Sequence, residues 1–211
     1  MLRSLPDRTA FWILLFAAYA AAAAAIRLQH VETLMGDDAE SFLWSRTLDW
    51  GYGVQPPLYA WLHWATNRVF GETLASTVSI RALSLTGLYA GAFVLARRFA
   101  PVRVAGLAAL GVFLVPEISQ TFLRTRTHNM LATALAPLVV LAFLNLLARG
   151  RAADHALFGA VAALGVLAKA TVAVLPVALV LAALAHRETR AALLSPKTVL
   201  ALAAMAAVLA G

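Results

Sequence analysis

The sequence has no cysteine, which excludes disulfide bonds, thiol catalysis and cysteine metal sites and leaves the redox compartment unmarked. It is poor in charge: 13% of its residues are Asp, Glu, Lys or Arg, against roughly 25% in an ordinary soluble domain. Acid is scarcest, with ten Asp and Glu against 17 Lys and Arg. There is no internal repeat, no nucleic-acid-binding motif, and no low-complexity tract beyond an alanine-rich first run. Apolar residues fill the space instead, at 62% of the chain and a mean hydropathy of +0.81. That balance describes an integral membrane protein. The net charge of +7 does not point to nucleic acid, because the Lys and Arg sit in short connectors between apolar runs, where insertion topology accounts for them.

About 20 apolar residues cross the ~30 Å hydrocarbon layer as a helix. On that scale the runs predict spans at about 10–28, 76–96, 104–116, 130–147, 156–168, 171–185 and 198–211, in one transmembrane module covering 1–211. The first run also resembles a signal peptide, but its length and the later spans favour a membrane helix. The apolar run 156–185 is too long for one crossing and is broken by Lys169 and Pro176, which predicts two short helices meeting near Lys169. Placing the N-terminus inside puts Arg3, Arg8, Arg97, Arg98, Arg103, Arg149, Arg151, Arg187, Arg190 and Lys197 on the cytoplasmic side. Loop 30–75, the loop around 117–128 and Lys169 then share the outer face.

Most of the remaining polar and aromatic chemistry lies in residues 36–64, GDDAESFLWSRTLDWGYGVQPPLYAWLHW. Its acids are Asp37, Asp38, Glu40 and Asp49. Asp37-x-x-Glu40 reads as a capping box opening a short helix, the Trp50-Gly51-Tyr52-Gly53 stretch as a turn, and Pro56-Pro57 as the start of a second helix. Leu58, Trp61, Leu62, Ala65 and Val69 follow helical spacing. With Trp44, Trp50 and Trp64 this predicts an all-α protein with two helices lying in the membrane interface within the first external loop.

Asp37 and Asp38 are the candidate catalytic carboxylates, either of which could take a proton from a hydroxyl or hold a divalent metal. The bland reading of Asp37 is helix capping. His128 is the other candidate metal ligand. Arg81, Arg124, Arg126 and Lys169 are cations in or beside apolar segments, where a charge costs roughly 2.5–3.5 kcal/mol on insertion scales. They are candidates for a phosphate clamp, and Lys169 reads equally as a lysine snorkelling to the interface. Glu117 reads as interfacial.

The stretch DDAESFLWSRTLDWGYGVQPPLYAWL resembles the first external loop of GT-C membrane glycosyltransferases of the family 39 type, which include protein O-mannosyltransferases and the lipid A aminoarabinose transferase. VSIRALS is similar to the Arg-containing start of that family's second span, and LGVLAKATVAVLP to its segment with a lysine between two short helices. The likeness covers roughly residues 10–185. It implies sugar transfer from a polyprenyl-phosphate donor to a lipid, glycan or protein acceptor on the extracytoplasmic face of a bacterial inner membrane. Asp37 would be the base, Asp38 its assistant or a metal ligand, and Gln55 and Tyr59 substrate contacts. Arg81, Arg124, Arg126 and Lys169 would bind the donor phosphate. Three departures stand out: Asp38 replaces the family's Glu, Gln55 a cation before the proline, and Thr127-His128-Asn129 a second-loop acid. Relatives are longer, so the chain resembles their N-terminal membrane module. A lipid-phosphate carrier and an inactive short homologue stay open as other readings.

Overall fold

The computed structural model describes residues 6–30, 36–121 and 126–210. Among them there is no strand, only an isolated bridge between Tyr52 and Gln55. The helices are α1 Thr9–His30, α2 Gly36–Trp44, α3 Leu58–Phe70, α4 Leu74–Ala96, α5 Val102–Gly111, α6 His128–Arg149, α7 Ala152–Ala168, α8 Val174–Ala185, α9 Arg187–Leu193 and α10 Thr198–Ala210. The protein is an all-α polytopic membrane protein. Helices α1, α4 and α6, of 22, 23 and 22 residues, are long and apolar enough to cross a bilayer. At 1.5 Å per residue each spans roughly 33 Å. Residues 102–114, α7 and residues 170–185 make shorter apolar helices, and α9 and α10 are bent by 58° to each other.

Helix α4 sits at the centre, packed against α1, α3, α5 and α6, while α7 lies between α6 and α10. Trp12, Phe16 and Tyr19 of α1 meet Tyr89 and Phe93 of α4, with Phe16 stacked on Tyr89 at 5.5 Å between ring centroids. The Trp12 ring lies so close to Gly106 of α5 that no side chain fits there. The approach of α10 to α7 is just as close: a Cβ on Gly159 would overlap the Ala201 backbone.

The break expected at Lys169 is present. Helix α7 ends at Ala168, Lys169 is extended, and a 3-10 turn at Ala170–Ala173 leads into α8. The first loop likewise holds two helices, α2 and α3, joined by a tight turn. Tyr52 and Gln55 exchange both backbone hydrogen bonds at 3.1 Å, and Gly53 at φ 62° supplies the left-handed conformation the turn needs.

Candidate active site

The site begins with two neighbouring acids that point different ways. Residues one apart on a helix are about 100° apart around its axis. Asp38 is therefore buried (0% exposed) while Asp37 faces solvent. The buried carboxylate is shared between two guanidiniums. Arg27 Nη2, from the last turn of α1, donates to Asp38 Oδ2 at 3.1 Å, and Arg81 Nη2, from α4, donates to Oδ1. A charge this deep needs a partner of opposite sign, so the triad fastens α2 to both membrane helices. Tyr59 is buried beside the same charges, and burial raises its phenol above the ordinary value.

A second buried connection holds α3. His63 Nδ1 lies 3.1 Å from the Ser41 carbonyl, which can only accept, so Nδ1 carries the proton. His63 Nε2 then faces the hydroxyls of Ser76 and Thr77 at 3.1 and 3.3 Å. Burial lowers the His63 pKa to about 4, so the ring is neutral at pH 7. Farther out, Tyr52 Oη donates to the Thr47 carbonyl at 2.6 Å and accepts from the Asp49 amide at 2.9 Å, while Trp61 Nε1 donates to the Asp49 carbonyl at 2.8 Å. Asp49 and most loop aromatics thus hold the loop together.

The outward face of α2 forms one wall of a polar cleft of about 160 Å³ lined by Asp37, Glu40, Trp44, Gln55, Arg126, Thr127, His128, Asn129 and Lys169. The first loop, the second loop and the break after α7 all contribute, so the three segments that the charge pattern placed on one face do converge. Lys169 Nζ donates to Asn129 Oδ1, and Arg126 Nε donates to Glu117 Oε1 at 3.0 Å. His128 packs between Trp44 and Tyr59, at 6.0 and 5.1 Å between centroids, and hydrogen-bonds Thr127 through Nδ1 at 3.1 Å. Its buried Nε2 has no hydrogen-bond partner among the described residues. A larger, more apolar groove of about 400 Å³ adjoins the cleft and shares Asn129 and Lys169 with it. Ala132, Thr133 and Ala136 of α6 line one side, and Thr171, Val172 and Leu175 the other.

Measured against the sequence reading, the cleft gathers Asp37, Gln55, Arg126, His128 and Lys169 and leaves out Asp38, Arg81 and Tyr59. Arg81 is buried against Asp38, and Asp38 is buried as a tie between helices, away from the cleft. Arg124 lies outside the described residues. The capping reading of Asp37 also shifts: α2 begins at Gly36, so Asp37 is inside the first turn, where its charge favours the helix dipole. Of the two residues expected to hold a metal, His128 lines the cleft and Asp38 does not. Among the described residues no three His, Asp or Glu gather to hold an ion.

Arg27 went unassigned in the sequence. Its signal was there: with the N-terminus inside, it falls at the outer end of α1, against the positive-inside pattern, so it needed a buried acid. Glu40, read only as part of a capping box, and Asn129 were not among the site candidates, and only the fold brings them to the cleft.

Residues 54–210 match the family described as dolichyl-phosphate-mannose-protein mannosyltransferase, three quarters of the chain. The chain belongs to this family. The GT-C likeness drawn from the first loop is thereby borne out. Among curated proteins, the chain is similar to the lipopolysaccharide core galacturonosyltransferases RgtB and RgtA of Rhizobium johnstonii, 30% identical over 181 residues and 28% over 178. Those matches take in 85% and 84% of this chain but 37% and 36% of the relatives, so the chain spans little more than a third of their length. No solved structure matches.

Proposed function

We propose that this module carries the reaction centre of a glycosyltransferase that moves a sugar from a polyprenyl-phosphate donor to an acceptor on the outer face of the membrane. The observation that carries the reading is the meeting of two cavities at Lys169 and Asn129: a polar cleft holding an exposed carboxylate, and an apolar groove beside it. A lipid-linked sugar needs both, with its prenyl chain in the groove and its head in the cleft. The phosphate then falls at their junction, beside Lys169. An acceptor hydroxyl attacks the anomeric carbon as Asp37 takes its proton. The bond from that carbon to the phosphate oxygen breaks, and its electron pair leaves with the polyprenyl phosphate. The configuration inverts. Lys169 stabilises the charge that grows on the leaving phosphate.

Following the relatives' names, the proposed substrate class is a uronic acid as the sugar and a lipopolysaccharide core glycan as acceptor. A lipid carrier needs the cation but has no use for a carboxylate in the same cleft. The test is sugar transfer by the intact protein in membrane vesicles, with Asp37→Asn as the variant. The exchange keeps size and removes the base, so the rate should fall by about 10²–10⁴-fold, the usual worth of a general base, while donor binding persists. Transfer by Asp37→Asn at the wild-type rate would sink the base assignment.

A further inference from the structure

The two cations of the cleft differ in place and in partner. Lys169 lines both cavities and donates to a neutral amide oxygen, that of Asn129. Arg126 lines the polar cleft alone, and its guanidinium holds a carboxylate, that of Glu117, at 3.0 Å. Glu117 itself lines the apolar groove, so the pair reaches from one cavity to the other. Both side chains are about half exposed, 43% and 48%, and an exposed pair of this kind adds little to stability and exchanges readily.

On the reading of the sugar as a uronic acid, we infer that Arg126 is the specificity residue that binds the sugar's carboxylate, and that Glu117 is the built-in stand-in this carboxylate displaces. Charge and position both support the assignment. A uronosyl donor carries two separated anions, one on the phosphodiester and one on the sugar. The described cleft offers two separated cations. The phosphate is tied to the lipid chain and so falls to the cation at the groove, Lys169. The sugar lies beyond the phosphate, in the polar cleft, whose other described cation is Arg126. A guanidinium is also the group whose planar fork matches a carboxylate with two parallel N–H donors. A neutral hexose leaves this fork to Glu117 and gains nothing from it.

The experiment compares two polyprenyl-phosphate donors in vesicles holding the intact protein, one carrying galacturonate and one galactose, which differ only in the carboxylate. Wild type should prefer the uronate. In Arg126→Gln the ratio of kcat/KM for uronate over galactose should fall by about tenfold or more, as sites built for a polar group reject analogues lacking it. Arg126→Lys should keep part of the preference. Glu117→Gln should raise the ratio through a lower KM for the uronate donor. Lys169→Gln should slow both donors with the ratio kept. An unchanged ratio in Arg126→Gln, with transfer still measurable, overturns the carboxylate assignment and leaves the transferase reading standing. Wild type that uses galactose as well as galacturonate overturns both the assignment and the sugar class. Wild type that uses neither donor overturns the transferase reading with them.

Discussion

Two carboxylates in consecutive positions do different physical work because one faces the helices and the other faces the cleft. Asp38 is the counter-charge of two buried guanidiniums, and breaking such a pair from one side costs roughly 3–5 kcal/mol because the stranded charges stay buried. Asp38→Asn keeps the shape and removes the charge, leaving Arg27 and Arg81 facing each other across a neutral amide. We expect a lower melting temperature in detergent and less folded protein in the membrane. Asp37→Asn, on an exposed side chain, should melt like wild type. The opposite ordering of the two variants in thermal stability would show that the acids have been given each other's roles. Arg27→Gln together with Asp38→Asn should restore part of the loss, because it removes one of the two like charges left facing each other.

At the scale of the elements, close backbone approach decides the packing, and two glycines report it with opposite sign. Gly87 lies inside α4, and a Cβ there meets nothing within 4 Å. Gly87→Ala should therefore stabilise the protein by roughly 0.5–1 kcal/mol, the entropy a helical glycine gives away. Gly159 of α7 is the reverse case, with the Ala201 backbone occupying the place a Cβ would take. Gly159→Ala must push α10 off α7, at a cost of roughly 1–3 kcal/mol for an overpacked contact. Thermal melts of both variants check this; equal shifts would mean that α10 does not rest on α7. Much of this layer was legible in the sequence, since long apolar runs give α1, α4 and α6, and the proline pair and the Lys169 break punctuate the rest. The pairing of Asp38 with Arg27 and Arg81 was not. Those residues are 11 and 43 positions from it, and nothing local marks which of two adjacent acids turns inward. The fully extended Lys169 was legible as a break, but its bond to Asn129, 40 residues away, was not.

For the whole molecule, the cleft has to open on one side of the bilayer, and the charges set the expectation of which. Arg97, Arg98 and Arg103 surround the connection from α4 to α5, while Asp37 and the turn at Gly53 lie at the opposite ends of α1 and α4. The positive-inside rule puts the arginine-rich connection in the cytoplasm, and a reaction at the cleft then takes place outside. The chain has no native cysteine, so single cysteines report cleanly. Val54, at the tip of the first-loop turn, is 94% exposed, and Phe99, between α4 and α5, is 77% exposed. In intact cells a membrane-impermeant maleimide should label Val54→Cys and spare Phe99→Cys, and inside-out vesicles should reverse the pattern. Labelling of Phe99→Cys alone in intact cells would invert the protein. The cleft would then face cytoplasmic donors, and Asp37 would act on an acceptor made inside the cell.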